Sequence, residues 1–347
     1  MTNTMRVDVI NIKDIPEGLK QEWLKIQTSN PCLMNPFFHP ELFVAVAKYY
    51  PDVYAALLYK GNDLGGILPF KKDQKAQSAL PIRFCNYEGI IASSGQEWDI
   101  DLILKKIGLC SWNFDALVNF KDIRFKRGDS QERQAFGIDL TEGLDKYWAY
   151  IQTKKVRLKD LNDKRRKLGI IKGPLRFVPN CYETRTLQQF VQWIRLRYNH
   201  DEAWIKETTE VLQHIYHMKT PGLEVFMPAL YAGDELVAVD FHIRYQDYLG
   251  GLLRTFNPNF EKFSVGVLLL HDLINEHKAL HYNKFDLGPE PFQYKLEYSN
   301  STFPTIKGNY RADCFKEQIK SINLLHQSLL PIARIKGMIV NKLSGSK

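Results

Sequence analysis

Three short segments hold the residues whose types and spacing suit chemistry best. In VAVDFHIRY, strand alternation puts Asp240, His242 and Arg244 on one face and Val239, Phe241 and Ile243 on the other. Asp240 or His242 could take a proton from an attacking amine, since burial and neighbouring charge tune either group towards neutrality. A merely solvated strand face would carry the same triplet. In NPNFEKFSVGVLLLHDLI, a loop with Pro258, Phe263, Ser264 and Gly266 runs into an apolar helix. The first turn of a helix offers free N–H donors and a partial positive charge, which suits a phosphate, and Gly266 would let a pyrophosphate approach the backbone. An ordinary N-cap Ser264 is the simpler alternative.

The third segment is DLGPEPFQYKLEYSN. Asp286 ends an apolar strand, Gly288 permits a turn, and Pro289 and Pro291 stiffen it. A rigid turn would place Tyr294 to protonate a leaving group and Lys295 to neutralise a phosphate or oxyanion. The competing reading is a surface turn with a snorkelling lysine. Other chemistry-bearing residues are scattered. His200, His214 and His217 have no acidic partner at metal spacing and read as helix-face histidines, so no metal site is expected. Cys181 and Cys314 have no base nearby in sequence and read as core residues. There is no G-x-S-x-G, no Walker A motif and no H-E-x-x-H.

The elements that must position these residues follow from length and pattern. With 347 residues the chain suits two domains, and 44% hydrophobic with 12% aromatic content is ample for packed cores. The first half predicts helices over 17–27 and 41–49 and a hairpin at Gly61-Asn62-Asp63. It continues with strands at FCNYEGIIAS and DALVNFKDI around a helix in EWDIDLILKKIGL. The second half predicts a basic helix, a strand at LRFVPN, a helix at TLQQFVQWIRLRYNH and three or four strands through residues 223–256. A helix over 265–276 and a strand at HYNKFDLG follow, then an amphipathic tail from 315 interrupted at Pro331. Similar strand–turn–strand rhythms in the two halves hint at duplication.

Net charge is +8, and residues 154–172 hold nine basic against two acidic residues, +7 of that total. Such a stripe can meet phosphates, nucleic acid or an anionic membrane, or be a solvated helix face. No apolar run approaches the roughly 20 residues that span a bilayer. The N-terminus lacks an apolar signal core and the five cysteines are scattered, which predicts a cytoplasmic location.

NPFFHPELFVAVAKYYP, GGILPF, KKVRLKDLNDKRRKLG, FSVGVLLLHDLI and DLGPEPFQYK occur in that order, and over about residues 35–312 the chain resembles the CelD-like acetyltransferases of bacterial cellulose and exopolysaccharide synthesis. That group lies within the GNAT superfamily and is related to the FemAB-type peptidyltransferases. The resemblance implies an α/β (α+β) fold of two tandem GNAT-like domains, each a mixed, mostly antiparallel sheet flanked by helices. Their expected extents are 1–147 and 148–347, the second carrying the acyl-donor site. Pyrophosphate binding then falls to Ser264, Val265, Gly266, Val267 and Leu268, where the family's usual Pro-Gly reads Val265-Gly266. Asp286 and Lys295 match the family's D-L-G and Y-K positions.

Asp240 and His242 become candidate bases, Tyr294 the acid for the thiolate, and Lys295 or a strand N–H the oxyanion donor. Phe38, His39, Arg157, Arg254 and Asp286 complete the set as candidate substrate contacts. The expected activity is N-acyl transfer from acyl-CoA, acetyl-CoA first, to an amine such as a nucleotide-linked amino sugar of a surface polysaccharide, with no DNA partner. Two alternatives stand: FemAB-like transfer from aminoacyl-tRNA, which the basic helix favours, and a non-catalytic binding protein of a polysaccharide assembly.

Overall fold

The computed structural model describes residues 5–124, 128–154, 156 and 158–312. Arg157, Cys314 and the tail from 315 lie outside them. The first half runs β1 (Met5–Asn11), α1 (Glu17–Thr28), α2 (Pro40–Ala47), β2 (Val53–Lys60), β3 (Asp63–Asp73), β4 (Ser78–Leu80), β5 (Ile91–Ala92), β6 (Trp98–Asp99), α3 (Ile100–Lys106), β7 (Ser111–Leu117), β8 (Ile123–Arg124) and β9 (Gly128–Asp139). The second half runs α4 (Leu144–Thr153), α5 (Leu158–Lys172), β10 (Leu175–Val178), α6 (Thr184–Tyr198), α7 (Glu202–Tyr216), β11 (Leu223–Phe226), β12 (Ala229–Ala232), β13 (Glu235–Tyr245), β14 (Tyr248–Phe256), α8 (Val265–Asn275), β15 (Lys284–Gly288), α9 (Gln293–Tyr298) and β16 (Ser301–Arg311).

One mixed sheet runs through both halves in the order β1-β2-β3-β4-β7-β16-β9-β15-β14-β13-β12-β10. Most neighbours are antiparallel; β14 and β15 pair in parallel, as do β4 and β7. The last strand, β16, sits between β7 and β9 of the first half. The halves are therefore sewn together by backbone hydrogen bonds as well as by packing.

Local chemistry accounts for the elements near the site. β13 alternates as its sequence requires. Val239, Phe241 and Ile243 enter an apolar cluster with Phe190 of α6 and Val211 and Leu212 of α7. Ala238, on the opposite face, packs with Leu268, Leu269 and Leu273 of α8. α8 is apolar nearly all round because it lies against β12, β13 and β14. β13 turns into β14 through Gln246, which takes a left-handed conformation at φ 53°.

Several expectations shift. FCNYEGIIAS contributes only the two-residue β5 and an isolated bridge at Glu88, because Phe84 is left-handed (φ 66°) and breaks the extended run. The strand expected through DALVNFKDI stops at Leu117, where Asn119 turns left-handed into a short 3-10 helix. Residues 293–298, just past the expected turn, form the short helix α9. Periodicity did not reveal β9 or β16.

Candidate active site

The parallel pairing of β14 and β15 lasts three residues: Tyr248 with Lys284, Leu249 with Phe285 and Gly250 with Asp286. Beyond that point the strands diverge. The fork opens a cleft of about 810 Å³ lined by Gly251 to Arg254 on one side and Leu287 to Pro289 on the other. Val267 of α8, Arg197 and Tyr198 of α6, and Tyr294 and Lys295 of α9 also line it. The first half closes the cleft with residues 81–86, Glu88, Asp115 and Ala116.

Gly250 marks the fork because nothing larger fits there. A Cβ on it would lie 2.8 Å from Pro36 Cγ and 2.9 Å from Phe37 Cε2. The first half thus rests directly on the strand that splits. Asn86 adds a hydrogen bond from Nδ2 to Gly251 O at 3.0 Å. A β-bulge follows, since Phe241 pairs with Leu253 and His242 with Gly251, leaving Leu252 extra.

Asp240 and Arg254 face each other across β13 and β14. Arg254 donates from Nε at 3.0 and 2.9 Å and from Nη2 at 2.6 Å to the fully buried carboxylate. Burial by itself raises the Asp240 carboxyl, but the Arg254 charge and the bonds from His242 and Arg254 outweigh it and hold it below the usual range. His242 Nε2 lies 3.3 Å from Asp240 Oδ2. An ionised carboxylate only accepts, so Nε2–H is the donor in this contact, and Nδ1 is buried without a partner among the described residues. His242 lines the cleft whereas Asp240 lies behind it. The polar face of β13 is therefore not a wet face: its two inner members form a buried relay, and only Arg244, at the far end, reaches Glu224.

Tyr294 covers this pair, its ring 4.9 Å from the Arg254 guanidinium carbon. Burial raises its phenol, keeping the proton available to a departing anion. Lys295 is buried, with Nζ 3.6 Å from Glu290. Burial lowers its pKa against the opposing pull of Glu290 and Asp286. The Tyr-Lys pair is a cleft wall, presented by a helical turn that begins just after Pro291.

The α8 entrance is organised differently from expectation. Ser264 is left-handed at φ 54° and makes no side-chain cap to the helix. Its Oγ instead accepts from Lys164 Nζ of α5 at 2.7 Å. Gly266 is buried, and a Cβ there would lie 3.2 Å from Phe256 Cδ1, so its smallness serves helix–strand packing. Val265 and Leu268 are buried in the core. Of the five residues expected at the donor, Val267 alone lines the cleft, while Ser264 is half-buried.

Three of the candidate substrate contacts do not reach the cleft. Asp286 is fully buried behind it and accepts from Asn35 Nδ2 at 2.7 Å, Tyr87 Oη at 2.7 Å and Gly288 N at 2.8 Å. Burial raises its pKa despite those donors. It fastens the first half to the β15 turn, where Gly288 takes φ 88°. His39 caps α2 through Nδ1 at 3.2 Å from Glu41 N, and burial pulls its pKa down to about 4. Phe38 is core, and its carbonyl accepts from Trp23 Nε1 at 3.0 Å. Arg157 falls outside the described residues. Reasoning from sequence missed Asn86, Glu88, Arg197 and the tether from Lys164. The one signal for Glu88 was an acid inside an aromatic, apolar run.

The family model described as "Acetyltransferase (GNAT) domain" matches residues 154–296. A search of curated proteins finds no significant match. Among solved structures, FemX aligns at 11% identity with a TM-score of 0.54, covering 90% of this chain and 99% of that one. A tandem GNAT protein from the clavulanic acid biosynthesis pathway aligns at 8% identity and TM-score 0.48, covering 89% and 98%. L-PGS from Bacillus licheniformis aligns at 11% and 0.47, covering 86% and 92%. The chain has the mixed α/β fold of the GNAT acyltransferases. No helix among the described residues is long and apolar enough to cross a membrane. Among the described residues no group of three or more His, Cys, Asp or Glu is placed to hold a metal ion.

Proposed function

We propose that the chain transfers an acyl group from acyl-CoA to an amine, with the β14–β15 fork as the donor channel. The supporting observation is that fork, with Val267 of the first turn of α8 and the Tyr294–Lys295 wall lining one cleft. A thioester threaded between the strands would meet edge amides that no neighbouring strand uses, among them those of the bulge at Leu252. The donor's phosphates lie towards the α8 entrance, where the helix N-terminus and Lys164 provide positive potential. Lys295 and the free edge amides stabilise the tetrahedral oxyanion. Tyr294 returns a proton to the thiolate, and His242, oriented by Asp240, takes the proton released from the adduct nitrogen.

The two halves act as GNAT-like units, divided near residue 147, with the second contributing the donor channel. Arg197 has no acidic partner within ion-pair distance among the described residues, and Arg254 Nη1 is buried and unpartnered. Together with Lys295 they favour an anionic substrate, for which a nucleotide-linked or phosphorylated amino sugar of a surface polysaccharide, met in the cytoplasm, is the acceptor we assign.

A second reading takes the acyl group from aminoacyl-tRNA. It is favoured by the exposed Lys159, Arg166 and Lys167 of α5, beside the α8 entrance that Lys164 touches. Calorimetric titration separates the two. Saturable binding of CoA supports the first reading. Binding of bulk tRNA that disappears at high salt, with no heat from CoA, supports the second and overturns the first.

A further inference from the structure

Glu88 is a buried carboxylate that the chemistry above leaves unused. It is 8% exposed, and its Oε2 accepts from Asp115 N at 3.1 Å and Ala116 N at 2.8 Å. Its backbone is clamped on both sides: Glu88 N donates to Ala116 O at 3.2 Å and Val118 N donates to Glu88 O at 2.9 Å. The side chain is thus mounted on β7 of the first half, yet it lines the same cleft as His242, Tyr294 and Lys295.

Among the described residues no lysine, arginine or histidine lies within ion-pair distance of Glu88. The charged neighbours that bear on it make matters worse for an anion. Burial raises its pKa and the charge of Asp115 raises it further, and Asp115 itself pairs outward with Lys307 at 2.6 Å. The other titratable group beside it is the Cys85 thiol, which burial pushes up and the charge of Glu88 pushes up further. Arg83, the nearest cation along the chain, is committed to Tyr50, Glu207 and Thr208, with 2.7 Å contacts to the last two. The remaining charges on the cleft walls are Arg197, Arg254, Lys295, Glu290 and Glu297. A buried carboxylate held by amides but lacking a counter-cation is a receptor for a cation.

We infer that Glu88 is the acceptor-binding residue of the cleft: it receives the substrate as an ammonium ion and removes the proton that must leave before the nitrogen can attack. This rests on the acyl-transfer reading and adds the acceptor's charge and the half of the molecule that selects it. The first step moves one proton, from R–NH3+ and Glu88–COO− to R–NH2 and Glu88–COOH. The nitrogen lone pair then forms the C–N bond at the thioester carbonyl, the C–S bond breaks, and the adduct nitrogen loses its second proton to His242. The thiolate takes one proton through Tyr294, and one is released to solvent overall. Burial pushes the Glu88 carboxyl up to about 7, which suits reversible exchange near neutral pH.

The test compares glucosamine with N-acetylglucosamine, which has the same ring without the ammonium group, by calorimetry on the whole chain at pH 7, where most of the glucosamine is protonated, with CoA titrated in parallel. Wild type should prefer glucosamine by about tenfold or more, as expected for a desolvated charge contact. Glu88→Gln should abolish the preference while leaving CoA affinity unchanged, and Glu88→Asp should restore part of it. Carbon NMR of glutamate-labelled wild type gives an independent reading: one carboxyl should titrate near 7 and move down when glucosamine is added. No preference in wild type, or a preference that survives Glu88→Gln, overturns the assignment. Glu88 fails alone if CoA still binds; loss of CoA binding in wild type removes the donor reading as well.

Discussion

Replacing Asp240 by alanine should destabilise the protein by about 3–5 kcal/mol, the range found when one member of a buried ion pair is removed. The structure gives the reasons. The carboxylate is fully buried and receives three hydrogen bonds from an Arg254 side chain that is only 16% exposed. Its removal leaves that guanidinium desolvated and His242 Nε2 without an acceptor. At about 2.1 cal/mol/K per residue over 347 residues, the unfolding entropy is about 0.7 kcal/mol/K, so the melting temperature should fall by about 4–7 °C. Differential scanning calorimetry of Asp240→Ala, Arg254→Met and the double variant reads this directly. The double variant should lose clearly less than the sum of the singles, because removing both partners leaves no orphaned charge. The sign with pH is fixed as well. The folded carboxyl titrates below its ordinary value near 3.8, so the pair's contribution is present above that value and is lost as pH falls through the lower folded one. The deficit of Asp240→Ala should therefore be constant from pH 8 to 5 and shrink only in stronger acid. Additive losses, or a drop under about 1 °C, would refute the buried clamp.

Two further outcomes follow from the same geometry. Gly250→Ala should cost about 1–3 kcal/mol by thermal melting, since its Cβ meets Pro36 and Phe37 inside van der Waals distance and that packing has no room to yield. Lys164→Glu should weaken CoA binding about tenfold by calorimetry, because it reverses the charge beside Ser264 at the α8 entrance. An unchanged dissociation constant would separate α5 from the donor.

The fold was legible where one physical signal dominated. The apolar run after Ser264 read as a helix over 265–276, and α8 spans Val265–Asn275. The alternation in VAVDFHIRY gave the two faces of β13 correctly, and Gly61 made the β2–β3 turn. What the polar face of β13 touches was not legible. Its burial depends on Arg254 across the ladder and on α9 folding back from a distant part of the chain. Asp286 misled for a similar reason. An acid ending a strand beside a glycine turn resembles a site residue, but its partners, Asn35 and Tyr87, come from 251 and 199 residues away. Gly266 was right in size and wrong in purpose, because its neighbour is Phe256 rather than open space. β16 escaped notice because Pro304 and Gly308 interrupt its pattern, and its place between β7 and β9 is a property of topology alone.

The divergence of β14 and β15 beyond Gly250 is the proposed seat of the acyl carrier. Hydrogen–deuterium exchange of the whole chain with and without saturating CoA tests it directly. Protection should concentrate on amides of 251–254, 265–266 and 287–288, leaving the distant β1–β2 hairpin unchanged. CoA that leaves those three segments exchanging as before, or that protects a different surface, would contradict it.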